Sequence, residues 1–200
     1  MSLLKSNIAI LILAAGESKR MGCIKQLLPW GDSSLLGNAI QIALQSKIEK
    51  ITIVLGANVS IIKRKTDLSQ VEIVVNQRWK EGMGSSISYG VKAVLDKERE
   101  TDAILVLLAD QPYVTSEHLN LLKTSYTDNK KGIIVTSNTN GVGVPVLFDK
   151  TYFEALLQLE GEKGAKQIIT SSLNDTMVLE ATALTTDLDT YGAYEEALKG

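Results

Sequence analysis

The sequence has little of the residues that build disulfides, thiol-based zinc sites and histidine-dependent catalysis. Its 200 residues include one cysteine, Cys23, and one histidine, His118. A single cysteine can form no intrachain disulfide and no cysteine-based zinc site, and this sparing use predicts a cytoplasmic location. His118 falls in the first turn of a predicted helix that Thr115 or Ser116 would cap, so we interpret it as a structural residue. Cys23 then has no histidine partner to activate its thiol, and we interpret it as structural too.

The chain also lacks an excess of charge and a long apolar run. Its 21 Lys and Arg residues against 23 Asp and Glu residues give a net charge of -2, which offers no broad basic surface for nucleic acid. The first apolar run is too short to span a bilayer, and charged residues follow it in place of a small-residue cleavage site. We therefore expect no nucleic-acid partner, no membrane span and no signal peptide.

Strand-like apolar runs alternate with amphipathic helix-like stretches along the chain. The predicted strands are Ile8–Leu13, Ile51–Leu55, Val71–Val75, Ala103–Leu108, Ile133–Thr136 and Val144–Phe148. The predicted helices are Leu35–Gln45, Ser85–Lys97, Ser116–Tyr126 and Tyr152–Leu159. This alternation implies right-handed crossovers and a mostly parallel sheet. Because no linker interrupts it, we predict a single domain over residues 1–200, built as a three-layer α/β/α sandwich.

The segment that follows the first strand carries the strongest functional signal. A buried strand leads into Gly16, and the cations Lys19, Arg20 and Lys25 come next. Glycine lets the backbone turn tightly enough for its N–H groups to face a phosphate, whose charge the cations can meet. The spacing is neither GxxxxGK[ST] nor GxGxxG, so the segment is not a Walker loop or a dinucleotide fingerprint. We predict a nucleoside triphosphate site.

Acidic residues follow later strands, where an open parallel sheet places its ligands. Asp110 ends the most apolar strand, and Asp189 lies in what we interpret as a second loop after a strand. Two aspartates suit Mg²⁺, which takes few carboxylates together with phosphate oxygens and water. Asp187 is either a third ligand or a solvated turn residue. Trp79, in a polar loop, is a better candidate than Trp30 for stacking on a base or a pterin.

The segment LAAGESKRMGCIKQLLPW resembles the signature LAAGxSxRMGxxKxLLPW of nucleotidyltransferases similar to the molybdenum cofactor cytidylyltransferase. Further matching segments follow in the family's order over nearly the whole chain: 110–112, 143–148, 161–166 and 187–190. The resemblance implies a Rossmann-like fold of the nucleotide-diphospho-sugar transferase type. It also implies Mg²⁺-dependent transfer of CMP from CTP to molybdopterin with release of pyrophosphate, and a molybdenum hydroxylase as the eventual recipient.

The resemblance and the positions after strands together give an assignment of site residues. Catalysis is assigned to Lys25, Arg20 and Asp110, and metal binding to Asp110 and Asp189. Nucleotide binding is assigned to Leu13, Ala14, Ala15, Gly16, Arg20, Lys25, Asn76, Ser85 and Asp110, and acceptor binding to Pro145, Lys163 and Lys166. Arginine supplies forked hydrogen bonds to phosphate and lysine a point charge.

Departures from the family pattern concern the acceptor. Lys166 stands where the family often has arginine, and Val144 where it often has histidine. On the nucleotide side, Ala15 stands where the related guanylyltransferases have glycine, which favours the cytidylyl branch. Two alternatives stay open: an enzyme of the same fold that uses GTP or another small phosphorylated acceptor, and a non-catalytic protein that binds the cofactor and delivers it to a hydroxylase.

Overall fold

The computed structural model describes residues 6–139 and 141–199. The strands in this part of the chain are β1 (Ile8–Ala14), β2 (Pro29–Trp30), β3 (Ser33–Ser34), β4 (Lys50–Leu55), β5 (Glu72–Val75), β6 (Ala103–Leu108), β7 (Ile133–Asn138), β8 (Gly141–Asp149) and β9 (Thr176–Leu179). The α-helices are α1 (Leu35–Gln45), α2 (Val59–Lys65), α3 (Met83–Lys97), α4 (Ser116–Asp128), α5 (Phe153–Leu157), α6 (Lys166–Ser171) and α7 (Tyr191–Ala197). All six predicted strands and all four predicted helices are present within a few residues of the expected bounds.

Seven strands form one sheet in the order β5-β4-β1-β6-β8-β7-β9. Strand β1 is parallel to β4 and β6, and the β4–β5 and β7–β9 pairs are also parallel. Strand β8 is antiparallel to both of its neighbours, because the short connection from β7 cannot make the crossover that a parallel strand needs. The mostly parallel sheet is confirmed, with β8 reversed.

Helices cover both faces of this sheet. Along β1, Ile10 and Ile12 pack in one hydrophobic core, and Leu11 lies in the other. The first core includes Ile40 of α1, and the second includes Val91 of α3. A strand that is apolar on both sides reads as a continuous hydrophobic run, which is why β1 was recognisable in the sequence. The fold is therefore the predicted three-layer α/β/α sandwich.

Three of the α-helices and three of the short strands in the described part of the chain were not predicted: α2, α6, α7, β2, β3 and β9. Helix α2 buries one residue, Ile62, and the edge strand β9 leaves Val178 exposed, so neither has a strong apolar pattern. Strands β2 and β3 form a separate two-stranded antiparallel hairpin. The predicted cap of α4 is confirmed at Thr115, whose hydroxyl accepts a hydrogen bond from the N–H of His118. Among the described residues, no helix is long and apolar enough to cross a membrane.

Candidate active site

A cavity of about 460 Å³ opens at the carboxyl ends of β1 and β6. One wall consists of residues 13–21, which end β1 and form the loop after it. The end of β6 up to Asp110 lines another side together with Lys25 and Asp189. The residues that contribute from across the cavity are Trp79, Lys80, Gly82, Met83, Ser86 and Glu162. The cavity therefore lies where a parallel sheet of this kind binds its ligands.

A lysine joins the two predicted metal ligands inside this cavity. The Nζ atom of Lys25 donates hydrogen bonds to Asp110 Oδ2 at 2.5 Å and to Asp189 Oδ1 at 3.1 Å. Arg20 contacts the other oxygen of Asp189, Oδ2, at 3.1 Å. The side chain of Lys25 is only 13% exposed, whereas that of Arg20 is 73% exposed. Four of the predicted residues thus form one charged cluster with a buried and an exposed cation.

The loop that carries Asp189 reaches this cluster by a route that the sequence did not reveal. Asp189 does not directly follow a strand, because the 3₁₀-helix Thr182–Thr185 stands between β9 and its loop. The loop is held by the N–H of Leu188, which donates to the carbonyl oxygen of Asp110 at 3.1 Å. The Leu188 side chain is buried against Met21. These contacts, rather than the end of a strand, bring Asp189 beside Asp110.

The charges of the cluster support one another. Burial opposes the charge of Lys25, but Asp110 and Asp189 outweigh it and raise the pKa of Lys25 above its ordinary value. Burial likewise opposes the charge of Asp189, but Lys25 and Arg20 outweigh it and lower the pKa of that carboxyl. Both groups are therefore ionised at neutral pH. Partial desolvation, with the nearby charges of Asp110 and Asp189, raises the pKa of Asp187.

The donor set fits a divalent cation. Asp110 and Asp189 converge on one cationic group, and the second oxygen of Asp110, Oδ1, is buried without a hydrogen-bond partner in the described part of the chain. Asp187 instead accepts a hydrogen bond from the amide of Gln111 at 2.9 Å. No group of three or more Asp, Glu, His or Cys side chains among the described residues is placed to hold a metal ion. Two carboxylates completed by phosphate and water are the coordination that Mg²⁺ prefers.

The loop after β1 departs from one detail of the prediction. Gly16 lines the cavity but is not left-handed; the left-handed residues are Ser18 and Gly22, with φ of 61° and 66°. A Cβ atom on Gly16 would meet no atom within 4 Å. Glycine at this position therefore keeps the cavity wall open, and the turn itself is made by Ser18 and Gly22.

Asn76 and Ser85, two of the predicted nucleotide-binding residues, support the cavity wall that faces the loop after β1. Asn76 is 1% exposed, and its amide donates to the hydroxyls of Ser85 and Ser86 at 3.0 and 3.1 Å while its oxygen accepts from the N–H of Arg78. These bonds connect the end of β5 to the start of α3. Ser86, rather than Ser85, lines the cavity, as does Trp79.

The predicted acceptor residues lie outside the cavity lining. Pro145 is buried in β8, where its carbonyl oxygen accepts a hydrogen bond from Thr136. Lys163 and Lys166 are exposed on the segment that also contains Glu162, and of these three only Glu162 lines the cavity. Gln26, which sequence reasoning missed, does line the cavity and is 6% exposed. Its only sequence signal was a single polar residue between Lys25 and two leucines.

A model of the MobA-like NTP transferase domain matches residues 10–176, which include every part of the cluster except the Asp189 loop. The chain belongs to the MobA-like NTP transferase family. This membership identifies it as a nucleotidyltransferase.

Relatives within this family carry different names. The chain is 28% identical to the purine catabolism protein PucB of Bacillus subtilis over 92% of both chains. It is 32% identical to nicotine blue oxidoreductase of Paenarthrobacter nicotinovorans over 78% of both chains. It is 26% identical to the molybdenum cofactor cytidylyltransferase of Escherichia coli, again over 92% of both chains.

Solved structures agree with the fold and bear on the metal. Rv0371c from Mycobacterium tuberculosis superposes with a TM-score of 0.85 at 28% identity, covering 98% of this chain and 99% of that one. The same protein in complex with manganese superposes with a TM-score of 0.80 at 26% identity and the same coverage. A structural neighbour at 26% identity has therefore been solved in complex with a divalent metal.

Proposed function

We propose that this enzyme transfers CMP from CTP to molybdopterin with release of pyrophosphate, using Mg²⁺ held by Asp110 and Asp189. The observation that supports this proposal most is the charged cluster itself. One cavity presents Lys25, Arg20 and two converging carboxylates beside the loop after β1. A substrate that carries many negative charges and a divalent cation suits this arrangement.

The cluster fits the charge problem of nucleotidyl transfer. An anionic acceptor phosphate attacks the α-phosphorus, the new P–O bond forms as the bond to pyrophosphate breaks, and negative charge concentrates around the reacting atoms. Positioned cations supply most of the rate in such a step. Lys25, ionised and largely buried, would contact phosphate oxygens as a fixed charge, while the exposed Arg20 would fold over the triphosphate. Bound Mg²⁺ would neutralise phosphate charge as a Lewis acid.

No strong general base is required, because a phosphate acceptor is already ionised at neutral pH. The environment of His118 is consistent with a reaction that uses no general base. It is 6% exposed, and its Nε2 atom pairs with the hydroxyl of Thr136 at 2.8 Å. Since that hydroxyl donates to the carbonyl of Pro145, Nε2 of His118 is the donor in the pair. His118 therefore serves the core.

The cavity wall supports a preference for the smaller pyrimidine base. Ala15 is 6% exposed and lines the cavity, and its carbonyl oxygen accepts a hydrogen bond from the N–H of Ala57 at 2.9 Å. A Cβ on the neighbouring Gly56 would lie 2.7 Å from that carbonyl and 2.6 Å from Cβ of Trp79. Because of this close packing, the backbone at Ala15 has little room to move away from the cavity. We infer that its methyl group narrows the base end of the cavity against a purine.

The acceptor half of the proposal depends on the segment around Glu162. The N–H of Gly84 donates to the carbonyl of Gly161 at 2.8 Å, and a Cβ on Gly82 would lie 2.5 Å from the same oxygen. The segment is thus held against the start of α3 at the cavity edge. Lys163 and Lys166 follow on this segment and would bind the acceptor phosphate from outside the nucleotide cavity. A cytoplasmic location and delivery of the product to a molybdenum hydroxylase complete the proposal.

A pyrophosphate-release assay tests the proposal. Each of the four NTPs is offered with Mg²⁺ and molybdenum-charged molybdopterin, and the Asp110→Ala variant is the control. We expect release with CTP that depends on the acceptor and is lost in the variant. Preference for GTP would support the alternative guanylyl activity. Tight cofactor binding without release would support a delivery protein.

A further inference from the structure

Gln26 is a buried amide with no part in the roles assigned above. It lies on the 3₁₀-helix Lys25–Leu27, next to the loop after β1. Its Nε2 atom donates to the carbonyl oxygen of Ala14 at 3.0 Å and to that of Gly16 at 2.8 Å. One side-chain amide therefore ties together both ends of the three-residue segment that leads from β1 into the loop.

The carbonyl between these two is also engaged, since Ala15 accepts from the N–H of Ala57. Three consecutive carbonyls are thus directed toward donors of the protein itself. Within the described ranges, the N–H groups of Gly16 and Glu17 have no acceptor, and both residues are exposed where they line the cavity. Backbone N–H groups left free in succession form a favourable site for phosphate oxygens.

The other half of the Gln26 amide indicates why glutamine stands at this position. Its Oε1 atom is buried and has no hydrogen-bond partner among the residues described. An unpaired buried acceptor is unfavourable, and methionine would fill a similar volume without one. The presence of glutamine is therefore explained by the two backbone carbonyl groups to which its Nε2 atom donates, those of Ala14 and Gly16.

We infer that Gln26 is a positioning residue that directs the N–H groups of Gly16 and Glu17 toward the triphosphate of a bound nucleotide. It acts through the backbone carbonyls of Ala14 and Gly16. This inference rests on the proposed function, because it requires a nucleoside triphosphate in the cavity.

Calorimetric titration with two ligands tests this role. CTP and inorganic tripolyphosphate, each with Mg²⁺, are titrated into the wild type, Gln26→Met and Gln26→Glu. We expect Gln26→Met to weaken both ligands by the same factor of about tenfold or more, since both depend on the same loop N–H groups. Gln26→Glu keeps the shape but its ionised carboxylate has no donor, so the loss should be at least as large. Equal losses for both ligands place the effect on the phosphate contacts that the two ligands share, and not on contacts to the nucleoside.

Thr52→Val is the matched control, because Thr52 is a 9% exposed polar residue on β4 outside the cavity lining. It should bind both ligands as the wild type does, and thermal unfolding should show that all the variants fold. Unchanged tripolyphosphate affinity in both Gln26 variants, or a loss confined to CTP, overturns the inference. If the wild type binds neither ligand, both the proposed function and the role of Gln26 are contradicted. If every variant binds both ligands as the wild type does, only the role of Gln26 is contradicted.

Discussion

Replacing Lys25 by methionine should destabilise the protein and at the same time improve its affinity for a divalent metal without nucleotide. The substitution removes the two hydrogen bonds to Asp110 and Asp189 and leaves both carboxylates without their shared cation. Each charge-assisted hydrogen bond contributes about 1.5–3 kcal/mol. The Asp189 side chain is 45% exposed and keeps its contact with Arg20, so losing the hydrogen bond from Lys25 to Asp189 costs less than losing the one from Lys25 to Asp110. We therefore expect the free energy of unfolding to fall by about 2–4 kcal/mol in total.

The assay is equilibrium unfolding in urea with and without Mn²⁺. At the proposed metal site of the wild type, the ammonium group of Lys25 would compete with the metal for Asp110 and Asp189. In Lys25→Met that competition is gone, so Mn²⁺ should stabilise the variant more than the wild type. Combining Lys25→Met with Asp110→Asn removes a ligand charge and should abolish most of this metal response.

Lys50→Met is the control for loss of an ion pair. Lys50 contacts Glu98 at 2.5 Å, and both side chains are about one-third exposed. Lys50 begins β4 and pairs with Ala9 near the start of β1, so it lies at the end of the strands opposite the cavity. Lys50→Met should lower the free energy of unfolding by at most about 1 kcal/mol, and its response to Mn²⁺ should equal that of the wild type. The reasoning is refuted if Lys25→Met is as stable as the wild type, or if Mn²⁺ stabilises both proteins equally.

Three further predictions concern the cavity and the core. Asp110→Ala should remove most transfer activity while the fold survives, with Asp189→Ala more damaging than Asp187→Ala; steady-state turnover at saturating CTP gives the comparison. Gly16→Val should fold normally, because its Cβ meets open space, but should weaken CTP binding in a titration. Burial lowers the pKa of His118, so the unfolded chain binds a proton that the folded chain does not. Stability should then fall as the pH drops below about 6.5, and urea unfolding of His118→Gln should show a flatter pH profile.

The sheet could be predicted because its central strands are apolar on both faces. Strand β6 was found with its observed bounds, and β1 within one residue. Helix α2 and strand β9 could not be found in the same way, since α2 buries only Ile62 and β9 is a partly exposed edge. Short elements of this kind are stabilised by their neighbours, and their own sequences carry little periodic signal.

The candidate site was predictable to the extent that it follows strand ends. Lys25 and Asp110 meet because β1 and β6 are adjacent and end at the same edge. Asp189 reaches them through the Leu188 N–H, a long-range backbone contact that no local pattern encodes. The environment of Gln26 was equally hidden, since a polar residue beside two leucines resembles a surface position until the fold buries it.

The central claim is the transfer of CMP, and following the label from CTP marked at its α-phosphorus tests it most directly. With Mg²⁺, molybdenum-charged molybdopterin and an equal concentration of unlabelled GTP, we predict that the label passes into a cytidine dinucleotide of the cofactor. One unlabelled pyrophosphate should be released for each transfer. Label that stays in CTP while GTP is consumed, or that reaches no molybdopterin product, would contradict the account.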